Sequence, residues 1–299
     1  MMMCIRPYMQ GPVGFGCGQC FPCRVNRRRL WTHRLLLERF CHDEASFVTP
    51  TYDQDHLPWP GTLKPSDMSG FIKRLRRNVE PQKIRFYGVG EYGDSTWRPH
   101  YHLALFGLSP LAADMVEKCW SDQRGQIGLV HVGELTAESA QYICGYTVKK
   151  MTAHHDRRLT QWRADGVNLY PEFARQSNRP GIGAKAMSVL ADTVLTDFGL
   201  DEYIETGDVP SQLRHGGKKW PLGRYLREKL RKEIGVSEKE REEIKARFFA
   251  EKSSEMRALL EGAPLSDDET LRTRLVKPHL QKARSAEKRE GIYNQRSQL

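Results

Sequence analysis

No run of apolar residues in this chain approaches the ~20 needed to cross a bilayer as a helix, which excludes a helical membrane protein and leads us to expect a soluble, intracellular one. The start is rich in methionine but lacks the apolar centre of a secretory signal peptide. Acidic residues are in deficit: 37 Asp and Glu stand against 47 Lys and Arg, a formal charge of +10. That balance favours a polyanionic partner. Cysteine is sparse along most of the chain. Of the seven, Cys4, Cys17, Cys20 and Cys23 crowd near the start. An odd, clustered set argues against a disulfide framework and for metal ligation or free thiols in a reducing compartment. With 299 residues the chain can bury a proper core, expected as one central domain with additions at both ends.

Cys17, Cys20 and Cys23, with Cys4 upstream, can supply four thiolates to one structural zinc, which would hold together a segment too small for its own core. Cys41, His33 or His42 can replace Cys4 as the fourth ligand, an iron–sulfur cluster uses similar spacing, and reduced cysteines without metal are the plain alternative. From Arg24 to about His42 the pattern is helical, with Leu30, Leu37 and Phe40 apolar and Arg24, Arg27, Arg28, Arg29 and Arg34 basic. Such a helix either contacts a nucleic-acid backbone or presents a solvated basic face.

Ser46 to Tyr52 reads as a strand, with Thr49 and Thr51 on one face, where their hydroxyls can meet phosphate or sugar. Pro50 cannot donate to a ladder, so the strand lies at an edge or its pairing breaks there. Met68, Phe71, Ile72, Leu75 and Val79 predict an amphipathic helix starting after Ser66 and stopping before Pro81. Ile84 to Gly90 and His100 to Phe106 are predicted strands joined by a turn. A helix over Leu111 to Trp120, a strand over Ile127 to Val132 and a helix capped at Thr136 follow. The order β, α, β, β, α, β, α predicts an α+β fold, an antiparallel sheet with helices on one face, the ferredoxin-like arrangement.

Two places in that order carry chemistry. Period-two geometry puts His100 and His102 side by side on one strand face and Tyr101, Leu103 and Leu105 on the other. With Glu91 brought alongside by the turn, the imidazoles make part of an octahedral cation site with positions left open. In the helix after Thr136, Ala140, Ile143, Cys144, Val148 and Met151 form one apolar stripe, while Tyr142, Tyr146 and Lys149 fall nearly opposite. Because the tyrosines point away from the stripe, residues between about 152 and 200 are expected to cover it.

Phe47-Val-Thr49-Pro-Thr51-Tyr-Asp53, then Gly90-Glu-Tyr-Gly with Arg98-Pro-His100-Tyr-His102, then Tyr142-x-x-x-Tyr146-x-x-Lys149-Lys150 resemble, in order, the three motifs of rolling-circle replication initiators of the HUH endonuclease superfamily. More narrowly they resemble the initiators of gokushovirus-type Microviridae, small single-stranded DNA phages. The Cys-Gly-Gln-Cys-Phe-Pro-Cys-Arg run and Arg179-Pro-Gly-Ile-Gly183 are similar to stretches of the same family, so the likeness covers roughly residues 1 to 225. Pro50 departs from the usual pattern, whose residue there is apolar.

The resemblance implies an HUH core and a Mg²⁺ or Mn²⁺ ion at His100, His102 and Glu91, with the imidazoles leaning toward Mn²⁺. It implies metal-dependent nicking and rejoining of origin DNA, single-stranded or supercoiled, through a 5′-phosphotyrosine on Tyr142 or Tyr146, with Lys149 and Lys150 stabilising phenolate or phosphate. Thr49, Thr51 and Arg98 are expected near DNA, together with Arg24, Arg27 and Arg28. Host replication proteins such as a helicase are expected partners, the host bacterial cytoplasm is the expected location, and no membrane is involved. The expected organisation is a Cys-rich segment with a basic helix (1–44), the nicking domain (45–152), an accessory segment packing on the tyrosine helix (153–221) and a charged helical tail (222–299). Relaxases and transposases share the histidine and tyrosine motifs. A zinc-stabilised nucleic-acid-binding protein without catalysis explains the charge and the cysteines but leaves the histidines and tyrosines without a role. A metal hydrolase would use activated water and leave no covalent adduct.

Overall fold

The computed structural model describes residues 4–11, 13–93, 96–146, 157–196, 203, 207–262, 265–266 and 269–296. The chain divides into two compact units, Trp31–Leu190 and Met1–Leu30 with Ala191–Leu299.

The unit Trp31–Leu190 is built on an antiparallel sheet. Its strands are β3 (Ala45–Pro50), β4 (Arg85–Tyr92), β5 (Pro99–Phe106), β8 (Val130–Glu134) and β9 (Phe173–Gln176), in the spatial order β8-β3-β5-β4-β9. The first four, taken with α2 (Pro65–Asn78) and α3 (Ala113–Cys119), make the βαββαβ ferredoxin-like arrangement. The strand β9 adds a fifth member against β4. A two-stranded ladder, β6 (Ser121–Asp122) with β7 (Gly125–Gln126), follows α3. The helix α2 begins at Pro65, earlier than its apolar spacing suggests, because proline suits a first helical turn that needs no amide donor.

Helices cover both faces of this sheet, not one. On one face Met68, Phe71, Ile72 and Leu75 of α2, Val116 of α3 and Leu159 of α5 (Arg157–Ala164) pack with Val48, Tyr101, Leu103 and Leu105. On the other, Leu35 of α1 (Phe21–Phe40) and Ala140, Ile143 and Cys144 of α4 (Ala137–Gly145) pack with Ala45, Tyr87, Val89, Ala104 and Phe106. The reason lies in β5: beyond His102 its residues are apolar in both directions, and a strand buried on both sides must be covered on both. Pro50 does not mark an edge, since β3 lies between β8 and β5. Its ladder with β5 runs only from Ala45 to Val48, with one isolated bridge at Thr51 and His100.

Leu35, Ala104, Phe106 and Ile182 share the cluster that covers the α4 stripe. The stripe is therefore met by the sheet and α1 as well as by the Arg179–Gly183 stretch. In that stretch Gly183 N donates to the Glu38 carboxylate at 2.6 Å. Arg85 binds Glu38 and the Pro180 carbonyl, closing a buried network. The helix α6 (Ala186–Val194) runs through the point at which the chain passes from this unit to the other.

In the unit Met1–Leu30 with Ala191–Leu299, β1 (Tyr8–Gln10) pairs with β2 (Val13–Phe15), and β10 (Gln212–His215) with β11 (Lys218–Pro221). Of its helices, α7 (Gly223–Glu233) buries Leu226 and Leu230. At Gly223 φ is +69° and an added Cβ would lie 2.5 Å from Leu30, so only glycine fits there. The helices α8 (Glu238–Gly262) and α9 (Leu271–Arg296) are largely exposed and charged. No helix among the described residues is long and apolar enough to cross a membrane.

Candidate metal and tyrosine site

The hairpin of β4 and β5 sets Glu91 directly opposite His100 and Val89 opposite His102. Glu91 and both imidazoles thus share one sheet face. Gly90 turns the other way and must be glycine, because an added Cβ would meet the Phe173 ring at 2.8 Å. Glu91 Oε1 lies 2.7 Å from His100 Nε2 and 3.1 Å from His102 Nε2. All three ligand atoms fall within 4.8 Å of one another, as residues sharing one ion must.

The other ring nitrogens are also committed. His100 Nδ1 donates to the Arg98 carbonyl at 3.1 Å, and His102 Nδ1 sits 2.9 Å from Thr49 Oγ1. Such outer partners orient a ligating imidazole and leave Nε2 for the metal. Burial pushes the Glu91 carboxyl upward, but the hydrogen bonds from His100 and His102 outweigh it and hold the group down at about 2. Burial also acts to lower His100, yet Glu91 overcomes this and raises it. Glu91 therefore favours the protonated form of His100, which pairs with the carboxylate. At His102 burial wins, and the ring is held below its usual range. Two imidazoles and a carboxylate, two of the three buried, form a donor set that fits a divalent cation.

Thr136 caps α4 in a reciprocal capping box with Ser139. Tyr146 lies just past the helix and stacks on His102, with centroids 4.8 Å apart and planes 4° apart. Tyr142 meets the same imidazole edge-on at 5.2 Å, and meets Tyr146 at 4.9 Å. The Tyr146 hydroxyl is hydrogen-bonded to Tyr142 and Glu91. Burial first, and then the Glu91 charge, raise it well above the ordinary phenol range. Tyr142 is 52% exposed. Lys149, Lys150, Val148 and Met151 lie outside the described residues.

The remaining expected contacts divide. Thr49 spends its hydroxyl on His102, and Thr51 donates to the Leu129 carbonyl at 3.1 Å. Arg98 holds the loop after β3, bonding Gln54 and the carbonyls of Tyr52 and Asp53. Arg24, Arg27 and Arg28 lie in the first turns of α1, where only Arg27 is strongly exposed.

Sequence reasoning assigned no role to two residues here. Phe47 lies nearly parallel to His102 at 5.8 Å, and the signal that could have found it is its position two residues before Thr49 on the same face. Glu172 is buried, accepts the Tyr92 amide at 3.2 Å and adds negative charge near His100. It joins the site only through the pairing of β9 with β4, about eighty residues along the chain, and no local pattern announces it.

The second candidate centre lies at the N-terminus. Sγ atoms of Cys4, Cys17, Cys20 and Cys23 fall within 4.8 Å of one another, Cys4 and Cys20 being 3.6 Å apart. The geometry thus selects Cys4 as the fourth member over Cys41, His33 or His42. Amides of Cys17 and Cys20 donate to sulfur at 3.3 Å. Burial acts to raise the Cys17 thiol, but amides of Cys20 and Gln19 and thiols of Cys4 and Cys20 lower it to about 6. Four thiols so grouped fit a tetrahedral thiolate site.

Residues 45–151 match a family model of replication-associated proteins, the ORF2 type. The chain is similar to replication-associated protein VP4 of Bdellovibrio phage phiMH2K, 29% identical over 48% of this chain and 50% of that protein. It is 33% identical to replication-associated protein ORF2 of Spiroplasma virus 4, over 56% of this chain and 55% of the other. To replication-associated protein ORF4 of Chlamydia phage 1 it is 32% identical, over 54% and 47%. The chain spans about half the length of these curated relatives. No solved structure matches it.

Proposed function

Taking as premise that residues 45–151 match the ORF2 family of replication-associated proteins, we propose that this chain initiates replication of a small single-stranded DNA phage by nicking and rejoining origin DNA through tyrosine. One observation carries the reading: both tyrosine rings of the third motif pack on His102 of the candidate metal group, and the Tyr146 hydroxyl bonds to Glu91. A metal hydrolase or a purely DNA-binding protein needs no phenol there.

Glu91, His100 and His102 would hold Mg²⁺ or Mn²⁺. When bound, that ion supplies Lewis-acid polarisation of the scissile phosphate and offsets the Glu91 charge that keeps the Tyr146 hydroxyl protonated. The chain's own residues do the rest. A phenolic oxygen of Tyr142 or Tyr146 attacks phosphorus and loses its proton. The P–O3′ bond breaks, the released 3′ oxygen gains a proton, and a 5′-phosphotyrosine retains the bond for rejoining. Lys149 or Lys150 would balance the phenolate or phosphate charge. Two adjacent tyrosines allow two successive transfers, one opening the origin and one closing the released circle. Thr49 and the Arg98 carbonyl act on this chemistry by orienting the two imidazoles. A zinc ion on the four cysteines would hold the N-terminal segment together, with Arg24, Arg27 and Arg28 facing the DNA backbone.

The test is to incubate purified protein with Mn²⁺ and labelled single-stranded oligonucleotides tiling the cognate replicon, and then denature. A covalent adduct carrying the fragment 3′ of the cut, lost in His100→Ala/His102→Ala, supports tyrosine-mediated nicking. Cleavage without adduct supports the hydrolase. Salt-sensitive binding with neither, on supercoiled origin DNA as well, supports a binding module.

A further inference from the structure

The antiparallel hairpin of β10 and β11 sets like charges face to face. Arg214 is paired directly opposite Lys219, and Lys218 stands next to it on the same strand. Such pairs weaken a ribbon, and folding alone gives no reason to keep them. The hairpin is held by other means. Its turn is Gly216-Gly217, with φ of +55° and +74°, the two-residue connection that matches strand twist. Leu213 pairs with Trp220, which is buried and donates its indole N–H to the His215 carbonyl at 3.1 Å. A fourth cation is fastened at the same place, for Arg29 donates to the Lys219 carbonyl at 2.9 Å.

Other cations in the same unit are treated differently. Arg227 and Arg231 both pair with Asp208, and Arg231 and Arg241 with Glu228. Arg29, Arg214, Lys218 and Lys219 have no carboxylate partner among the described residues, and the three on the hairpin are exposed. A two-stranded ribbon bearing unneutralised, mutually repelling cations fits a run of phosphates. Its one aromatic, Trp220, is buried beneath it, so it lacks the stacking platform by which proteins hold unpaired bases. A two-stranded ribbon also fits the major groove of B-form DNA.

We propose that the β10–β11 hairpin, with Arg29, binds the phosphate backbone of duplex DNA. This rests on the replication reading above and adds to it a duplex contact distinct from the unpaired strand that tyrosine chemistry needs.

The test measures binding of the full chain to a short mixed-sequence duplex and to oligo(dT) across a salt series. Arg214→Gln/Lys218→Gln/Lys219→Gln should bind the duplex ~10-fold or more weakly, with the slope of log K against log salt reduced by about three. Its affinity for oligo(dT) and its Mn²⁺-dependent cleavage of single-stranded origin DNA should not change. The charge-keeping variant Arg214→Lys/Lys218→Arg/Lys219→Arg should bind the duplex like the parent, which separates lost charge from lost folding. Unchanged duplex affinity and slope in the Gln variant would overturn the proposal, as would an equal loss on oligo(dT). Absence of cleavage by the parent would count against the nicking reading, while the duplex measurement would still decide this one.

Discussion

The His102 imidazole and the Tyr146 phenol lie face to face, 4.8 Å apart and within 4° of parallel. Tyr146→Phe should keep this stack and lose only the hydroxyl. Tyr146→Phe and Tyr142→Phe should each retain some cleavage, because either ring lies against His102 of the candidate metal group, and the double variant should form no adduct. Adduct formation is read on denaturing gels. Full cleavage by the double variant would end the tyrosine mechanism.

Thr49 is half-buried and touches His102, which gives it a measurable role. Thr49→Val keeps the shape and removes the hydroxyl from Nδ1. Losing an outer partner of a metal-binding histidine costs ~10–100-fold in metal affinity or activity. Mn²⁺ titration should show that loss, and Thr49→Ser should recover most of it. Wild-type affinity in Thr49→Val would remove the threonine from the site.

Metal uptake should be proton-linked through His100. In the metal-free chain Glu91 raises this group, so a proton occupies Nε2 to a higher pH than usual. A cation has to displace that proton. Apparent Mn²⁺ affinity should therefore rise with pH through and somewhat above the ordinary histidine range, then level off. Calorimetry in buffers of different ionisation enthalpy would count the protons released, and none released would contradict the raising of His100 by Glu91.

Glu38 is buried among Arg85, His42 and the Gly183 amide. Burial opposes its charge, but these partners hold the carboxyl below its usual value of 4.5. A depressed carboxylate stabilises the folded chain above its unfolded pKa and loses that contribution as pH falls through the folded one. Glu38→Gln should cost ~3–5 kcal/mol near neutrality, the penalty for breaking a buried pair. The gap between variant and parent in denaturant melts should narrow below pH 4.5. A gap that stayed constant with pH would contradict the assignment.

The four N-terminal thiols should bind one zinc ion per chain. Metal analysis, together with cobalt substitution giving the absorption of tetrahedral thiolate, would establish it. Cys4→Ser should weaken retention, whereas Cys41→Ser should leave it intact, since Cys41 lies outside the cluster.

Much of this architecture was legible in one dimension. Thr136 announced a cap, the spacing of Met68, Phe71, Ile72 and Leu75 announced the buried face of α2, and His100 and His102 with Glu91 announced a shared sheet face. Local rules suffice there, because capping, helical period and strand alternation act within a few residues.

The βαββαβ order of the sheet, the histidine pair and the grouping of thiols thus follow from the linear chain. What each group touches follows only from folding in three dimensions. Both faces of the sheet are covered, because β5 is apolar in both directions. Thr49 is a partner of His102, and the Gly183 amide goes to Glu38. Strand pairing brings Glu172 into the Glu91 site and sets Arg214 against Lys219. These contacts form between residues far apart in sequence or across a strand register, and neither has a period that a linear pattern can carry.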